Sequence, residues 1–552
     1  EALNYRTRIE PVNYRQYVTI KLKAIKHPTI YNGVELQEVV VTGYPIIQKK
    51  QVLLGSVSCV TRIRGVSSVN RSPHKFNTEN YATVHESGYR GVFSHPYSTF
   101  SIDVDKASYS NVRRFLNLGQ MPPVDAVRIE EMINYFDYNY KTPTDDKPYT
   151  INSDFSTCPW NIDHQLLLVG LKAKEIDKSH LPPSNLVFLL DVSGSMRSAN
   201  KLPLVKSAMR MLVNELRPTD HVAIVVYAGA AGVVLPSTTG NQKQVILSAI
   251  NQMNAGGSTA GGEGIRLAYQ IARENFIDGG NNRIILATDG DFNVGVSSTS
   301  EMEHLVEKER DSGIFMTALG FGMGNYKDDK METIADKGNG NYAYIDNLQE
   351  ARKVFVQEFG ATLFTAAKDV KLQLEFNPQH VKAYRLIGYE NRLLNDEDFK
   401  NDKKDAGEMG IGHTVTALYE IIPAGSKEEV ASIDELKYQK KQQKINSNYS
   451  NELVTIKTRF KLPDGHRSFP YEKVVPAKIS TWKDVSYNLQ FAAAVAGFGM
   501  LLRKSEYKGK LTYEQVKKMA QKAKSKDEYG YRGEFIRLVD LAESLNETQA
   551  SK

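Results

Sequence analysis

Oxygen-bearing side chains stand next to apolar segments at several points in the middle of the sequence. They are Asp191, Ser193 and Ser195 after the run NLVFLL, Thr259 in AGGST just ahead of a predicted helix, and Asp289 after the run RIILAT. Carboxylate and hydroxyl oxygens are hard donors, which suit Mg2+, Mn2+ or Ca2+ and do not suit zinc. If the fold brings these residues together, they have the chemistry to bind a divalent cation.

The segments that carry these residues alternate between predicted strands and predicted helices. NLVFLL is a continuous apolar run, as expected for a strand buried on both faces of a parallel sheet. Apolar residues then recur at three- and four-residue steps over 205–216, which predicts a helix, and HVAIVVYA predicts a second strand. The alternation continues through a helix at 262–276, strand RIILAT, a helix at 300–310, strand GIFMTALG, a helix at 330–335, strand NYAYI and a helix at 348–364.

This alternation predicts an α/β fold with a doubly wound, mostly parallel, Rossmann-like sheet and helices on both faces. In such a sheet, ligands bind in the crevice beyond the carboxyl ends of the strands. The oxygen-bearing residues follow predicted strands or precede a predicted helix, so we expect them to meet in that crevice.

In this order, the motifs resemble the metal-ion-dependent adhesion site of von Willebrand factor type A domains. The resemblance places Asp191, Ser193, Ser195, Thr259 and Asp289 on the family's metal-site positions. It implies that the two serines bind the cation directly, that the aspartates act partly through water, and that Thr259 binds directly only in the ligand-bound form. It also implies an open position on the cation that a carboxylate of another protein can complete.

The function that the resemblance implies is divalent-metal-dependent, adhesion-type protein binding, with an Asp or Glu of the partner as the ligand. We expect the mutation Asp191→Ala to remove metal binding with little loss of folding, because the loop lies at the end of the sheet and not in its core. Chelator should mimic the mutation, and Mg2+ or Mn2+ should reverse the effect of chelator.

Two other functions remain open. A structural protein could use the metal only to tie loops together. A metal-dependent hydrolase could use Ser193 or Ser195 as a nucleophile, but no His or Lys follows them in DVSGSM to act as a base, and Arg197 cannot serve as one. The glycine-rich AGGSTAGGEG lacks the Lys of a phosphate-binding loop. We therefore expect a binding protein and not an enzyme.

The flanking regions predict a β domain interrupted by the type A domain. Because strands predicted at 149–156 and 164–173 precede it and strands resume at 370–376, we expect both sets to form one β-sandwich that carries the type A domain as an insertion. Asp105, ahead of a helical run, is predicted to be an N-cap and not a metal partner of Asp103. Further strands are predicted at 381–389, 413–422 and 452–460, and helices at 125–137 and from about 482 onward.

The first 65 residues predict strands at 17–22, 33–43 and 51–63. The segment GVELQEVVVTGYPIIQKKQVLLGSVSCV resembles the junction between a carboxypeptidase-regulatory-like domain and the plug of TonB-dependent outer-membrane receptors. The predicted domains are a regulatory-like or plug-like segment at 1–65, helices and the first part of the sandwich at 66–183, the type A domain at 184–367, the second part of the sandwich at 368–480 and a helical region at 481–552.

Other segments resemble a bacterial family of exported type A proteins with their own flanking domains. IDVDKASYSNVRRFLNLG, YRLIGYENRLL and YGYRGEFIRLVDLA carry this likeness, which covers about 85–545. It implies an exported protein, in the periplasm or on the outer-membrane surface of a Gram-negative cell. No signal segment stands before Glu1, so we expect any export signal to lie outside this sequence.

Composition limits the partners. Of 552 residues, 41% are hydrophobic and 24% are charged, which are ordinary globular values. The net charge of +6 is a small difference between 70 basic and 64 acidic residues. Because there is no long block of like charge, we expect no nucleic-acid partner.

The apolar run 491–502 is too short to span a membrane and predicts a buried helix. The two cysteines, Cys59 and Cys158, can pair only if the fold brings them together.

Overall fold

The computed structural model describes residues 5–11, 18–24, 41–43, 79, 81–257, 261–290, 299–322, 328–358, 364–404, 406–430, 447–463, 465 and 467–550. The chain divides into two compact units, Glu1–His74 and Lys75–Lys552. In the first unit, β1 (Tyr5–Pro11), β2 (Val18–Ala24) and β3 (Val41–Gly43) form an antiparallel sheet in that order. The strand predicted at 51–63 and Cys59 lie outside the described residues.

The second unit contains the sandwich, the α/β domain and the helices. Its strands are β4 (Arg90–Gly91), β5 (Tyr97–Ser101), β6 (Tyr149–Thr157), β7 (Gln165–Ala173), β8 (Ser184–Asp191), β9 (His221–Tyr227), β10 (Ala231–Thr239), β11 (Asn281–Thr288), β12 (Ile314–Phe321), β13 (Tyr342–Ile345), β14 (Thr365–Phe376), β15 (Val381–Ile387), β16 (Met409–Gly410), β17 (Thr414–Pro423), β18 (Glu452–Lys461) and β19 (Ser468–Pro476). Its helices are α1 (Ala107–Asn117), α2 (Ile129–Asn134), α3 (Leu202–Glu215), α4 (Lys243–Gln252), α5 (Gly261–Glu274), α6 (Thr299–Asp311), α7 (Asp328–Lys337), α8 (Leu348–Arg352), α9 (Tyr487–Arg503), α10 (Tyr513–Lys522) and α11 (Tyr531–Ala550).

Strands β8 to β13 form one sheet in the order β10-β9-β8-β11-β12-β13, which confirms the doubly wound fold. All neighbours are parallel except β10, which runs antiparallel to β9. Helices α3, α4 and α8 pack on one face and α5, α6 and α7 on the other, so β8 is buried along its whole length. The strand order reverses between β8 and β11, and the crevice of such a sheet opens at that point. Residues 184–357 are named the inserted domain below.

The remaining strands form the two facing sheets of a β-sandwich. One sheet has the order β16-β14-β18-β19, with β5 also paired to β14, and the other has the order β4-β15-β17-β7-β6. Strand β7 precedes the inserted domain and β17 follows it, yet they pair directly, with Leu168 opposite Leu418. The predicted insertion into one sandwich is therefore confirmed. The sandwich core includes Phe100, Tyr149, Val169, Leu372 and Ile456.

The C-terminal helices cover the outer face of the second sheet together with α1 and α2. Because side chains alternate along a strand, Leu167 of β7 enters the sandwich core while Leu166 and Leu168 contact the helices. Helix α9 is buried as predicted, with Phe491 and Phe498 in this second core. Within the described part of the chain, no helix is long and apolar enough to cross a membrane.

The predicted capping role of Asp105 is wrong. The N-cap of α1 is Lys106, and it makes no side-chain capping bond. The buried carboxyl of Asp105 instead accepts a hydrogen bond from the backbone N–H of Tyr342 at 3.1 Å and pairs with Arg392 at 3.1 Å. An ion pair with a distant arginine, which local sequence does not reveal, decides the role of this residue.

The last helix of the inserted domain is shorter than the predicted 348–364. Helix α8 continues as one π-helical turn, Lys353–Gln357. The described residues then end at 358 and resume at 364. The guanidinium of Arg113, on α1, pairs with Asp346 and Glu350 at the start of α8 and with Glu534 of α11. The last helix is thus held by helices from both ends of the second unit.

Candidate metal centre

Asp191 is the last residue of β8, and its carboxyl group joins the ends of neighbouring strands. One oxygen, Oδ1, accepts a hydrogen bond from the backbone N–H of Ser193 at 2.8 Å. The other, Oδ2, accepts from the hydroxyl of Thr288 at 3.2 Å and from that of Tyr227 at 3.4 Å. Burial raises the pKa of the Asp191 carboxyl, hydrogen bonds from Ser193 lower it, and the nearby charge of Asp289 raises it.

The two serines lie side by side in the loop that follows β8. Ser193 is buried and Ser195 is exposed, and their Oγ atoms are 2.9 Å apart. The N–H of Gly194, between them, donates to the carbonyl of Gly257 at 3.0 Å. Gly257 has φ of +88°, a conformation that favours glycine. This bond ties the serine loop to the segment just ahead of Thr259, which itself lies outside the described residues.

Asp289 follows β11 directly and is paired with a lysine that the sequence reasoning missed. Lys201 Nζ lies 2.7 Å from Asp289 Oδ2, and the carboxyl of Asp289 is nearly buried. The stem of Lys201 packs on Gly322, just after β12, where an added Cβ would come within 2.7 Å of Lys201 Cγ and 2.9 Å of Cδ. Gly322 also has φ of +82°, so glycine is required for two reasons.

Four of the predicted site residues are therefore in the described structure, and they gather at the point where the strand order reverses. Thr288, Tyr227 and Gly322 were missed as well, although all stand at or just beyond strand ends, where site residues are expected. The structure places Asp191, Ser193, Ser195 and Asp289 in this group, which is named the candidate metal centre.

The donor set fits a hard divalent cation. It consists of two carboxylates and two hydroxyls, all oxygen, and the ammonium of Lys201 already lies against one carboxylate. Among the described residues, no three His, Cys, Asp or Glu side chains are grouped so that they could hold a metal ion, so a cation at this centre would need the serine hydroxyls as ligands. Among the described residues, Asp191 accepts hydrogen bonds but forms no ion pair, so the centre has a carboxylate whose charge a bound cation could neutralise.

Lys201→Met should raise the affinity for Mg2+ about tenfold, equivalent to about 1.4 kcal/mol. The ammonium is within ion-pair distance of Asp289 and repels a second cation placed among the same oxygens. Isothermal titration with Mg2+ measures the change. The matched control is Lys206→Met, because Lys206 Nζ bonds to the carbonyls of Asn251 and Met253. An unchanged or weaker affinity in Lys201→Met would show that Lys201 does not compete with the cation.

Comparison with known proteins agrees with the fold of the inserted domain. The model of the von Willebrand factor type A domain matches residues 185–357, a model described as von Willebrand factor matches 75–168, and one described as the C-terminal part of uncharacterized protein YfbK matches 361–545.

Related proteins match different fractions of this chain. YfbK of Escherichia coli (strain K12) is 46% identical over 481 residues, which is 85% of this chain and 82% of that protein. Protein sll0103 of Synechocystis is 31% identical over 39% of this chain and 50% of its own length. A solved von Willebrand factor type A protein from Catenulispora acidiphila is 15% identical, covers 70% of this chain and 89% of its own, and has a TM-score of 0.37.

A type A domain is generally a non-enzymatic module of protein–protein interaction, and the match at 185–357 includes the candidate metal centre. With 46% identity over 82% of the Escherichia coli protein, the chain belongs to the YfbK family of von Willebrand factor type A domain proteins.

Proposed function

We propose that this protein is a divalent-metal-dependent interaction module of the bacterial cell envelope, which binds an acidic residue of a partner protein at the candidate metal centre. The observation that carries the proposal is the meeting of Asp191, Ser193, Ser195 and Asp289 at the carboxyl ends of β8 and β11. These are residue types that bind hard cations, at the position where such sheets bind ligands.

The residues that would hold the cation are these four, with Thr259 added on the strength of the family resemblance. Mg2+, Mn2+ or Ca2+ bound there would supply a positive charge and a free coordination position for a carboxylate oxygen. Ser195 is exposed, so the centre can be reached from solvent. Without the cation, the carboxylates of Asp191 and Asp289 repel an acidic side chain, and the one ammonium of Lys201 offsets only part of that repulsion.

Binding is better supported than hydrolysis. A serine nucleophile needs an adjacent base. The hydroxyl of Ser193 contacts that of Ser195, and Lys201, the amine at this centre, is held by Asp289. In the described part of the chain, neither serine has a hydrogen bond to a His or Lys side chain. These contacts support a role as ligands better than a role as activated nucleophiles.

The proposal is tested by capture of a partner on the immobilised full chain, from envelope and from cytosolic extracts of its own cells. We expect a protein to be retained from the envelope extract in Mg2+, released by chelator, and released by excess of a short Asp-containing peptide. The variant Asp191→Asn should retain none. Capture that survives chelator and Asp191→Asn would contradict a metal-dependent interface, and capture from the cytosolic extract alone would contradict the location.

The matched control is Asp278→Asn. Asp278 is exposed in the turn ahead of β11, at the opposite end of the sheet from the candidate metal centre. This variant should capture the partner as the unmodified protein does.

A further inference from the structure

Arg283, at the start of β11, is a buried arginine that forms no ion pair with any carboxylate in the described part of the chain. Other buried arginines, such as Arg113 and Arg385, are in ion pairs. Arg283 is 2% exposed, and its Nη1 donates to the hydroxyl of Thr317 at 2.9 Å while its guanidinium lies 5.4 Å from the ring centre of Phe315. Its Nε is buried and has no hydrogen-bond partner among the described residues. A buried charge without a counter-ion is costly, so this group is suited to receive an anion.

The charge of Glu408 acts on Arg283 but does not neutralise it. The two carboxylate oxygens of Glu408 accept hydrogen bonds from Asn339 Nδ2 at 2.6 Å and from the hydroxyl of Thr365 at 2.8 Å. Burial lowers the pKa of the Arg283 guanidinium to about 10, and the charge of Glu408 raises it only in part. Arg283 is therefore still a cation near neutral pH, and its charge is under-compensated.

Arg283 lines a cavity of about 400 Å3 between the inserted domain and the sandwich. This volume is within the range of small-molecule sites. Other bases on its lining do not offer a comparable group. Arg310 and Lys337 are each paired with a carboxylate, and Lys404 is exposed. Burial lowers the pKa of His413 to about 4, so that imidazole is neutral near pH 7.

Another part of the same lining has an excess of acid. Asp103, Asp105 and Asp336 line the cavity, and all three pair with Arg392, at 3.0, 3.1 and 3.1 Å. Glu332 shares the same guanidinium at 3.0 Å. Burial and mutual repulsion raise the pKa of Asp336 to about 7 and that of Asp105 well above its usual value. Glu332 is also paired with Arg128 at 2.6 Å, so the three carboxylates on the lining share one guanidinium. The negative potential that raises the pKa of Asp105 and Asp336 attracts a cation and repels a phosphate.

We propose that this cavity binds a small zwitterion of the amino-acid type, with its carboxylate on Arg283 and its ammonium among Asp103, Asp105 and Asp336. The site is separate from the candidate metal centre, because it lies beside the amino end of β11 and Asp289 lies beyond the carboxyl end. A bound zwitterion joins the inserted domain, which supplies Arg283 and Asp336, to the connection between β5 and α1.

Calorimetric titration of the full chain tests the proposal with glycine, β-alanine and γ-aminobutyrate, which differ in the spacing of their charges. Acetate, methylammonium and inorganic phosphate serve as single-charge and polyanion probes. At least one zwitterion should bind about tenfold or more tightly than acetate or methylammonium. Binding of no zwitterion, or tighter binding of phosphate than of every zwitterion, would overturn the proposal.

The variant Arg283→Met should lose zwitterion binding by about a hundredfold or more. Because it removes an unpaired buried charge, its urea midpoint should stay near that of the unmodified protein, and loss of binding is then not loss of folding. Asp191→Asn should bind the zwitterion normally, which separates this site from the metal centre. Zwitterion affinity that is unchanged in Arg283→Met would rule out Arg283 as the carboxylate receptor.

Discussion

Asp191→Asn should reduce the affinity for Mg2+ about a hundredfold or more, which is about 2.7 kcal/mol, and leave the protein folded. The amide keeps an oxygen that accepts the 2.8 Å hydrogen bond from the N–H of Ser193, so the loop stays in place. It removes one of the two carboxylate charges of the candidate metal centre. Isothermal titration with Mg2+ gives the affinity, and thermal unfolding without metal reports the fold.

Asp191→Ala is a less clean test than we expected from sequence. The carboxyl of Asp191 is buried and accepts hydrogen bonds from Ser193, Thr288 and Tyr227, and alanine would leave these donors without it. Each buried donor left unsatisfied costs about 1–3 kcal/mol, so we expect a measurable loss of stability. Asp278→Asn again provides the control, and equal Mg2+ affinity in Asp191→Asn and the unmodified protein would show that the cation binds elsewhere.

Arg113→Met should lower the free energy of unfolding by about 3–5 kcal/mol. Arg113 is fully buried and pairs with Glu350 at 2.7 Å, with Glu534 at 3.0 Å, and with Asp346. Methionine fills similar space but leaves three carboxylates without their counter-ion. Urea unfolding followed by circular dichroism measures the change, and we expect a lower midpoint as helix α8 loses its attachment to α1 and α11.

Arg283→Met is the matched control, because it also replaces a buried arginine by methionine. Arg283 has no carboxylate partner in the described structure, so the free energy of unfolding of this variant should change by less than about 1 kcal/mol. Equal losses in the two variants would mean that Arg113 stabilises the protein through its bulk. A larger loss in Arg113→Met would assign the effect to the three carboxylates that are left without their counter-ion.

The class of the fold and most of the candidate site could be predicted from local sequence patterns. Continuous apolar runs such as the one in β8, alternating with helical periods, are a local signal of a buried parallel sheet. Asp191, Ser193 and Ser195 follow that run and Asp289 follows β11, and these positions predict a candidate site at the strand ends. The return of strands after α8 also predicted the inserted domain, because a sandwich needs both sets to cover its core.

Elements with weak local sequence patterns were not predicted. Strand β10 contains Pro236 and is a half-exposed edge strand, so it lacks the apolar run by which its neighbours were found. Helix α4 follows it and was missed too. The joining of α1 and α2 with the C-terminal helices could not be predicted either, because their apolar faces show that they are covered but not by what.

Which charged side chains form ion pairs depends on the tertiary structure. Lys201 and Asp289 are 88 residues apart in sequence, and Arg113 and Glu534 are 421 apart. Asp105 was predicted to cap α1 because it stands just ahead of that helix in the sequence. In the folded protein its buried carboxyl pairs with Arg392, because a buried charge needs a counter-ion. The burial of Arg283, away from every described counter-ion, likewise arises only when the chain folds around it. Periodicity along a chain encodes which faces are buried, whereas ion pairs and cavities depend on the distances between elements, and those are set by packing.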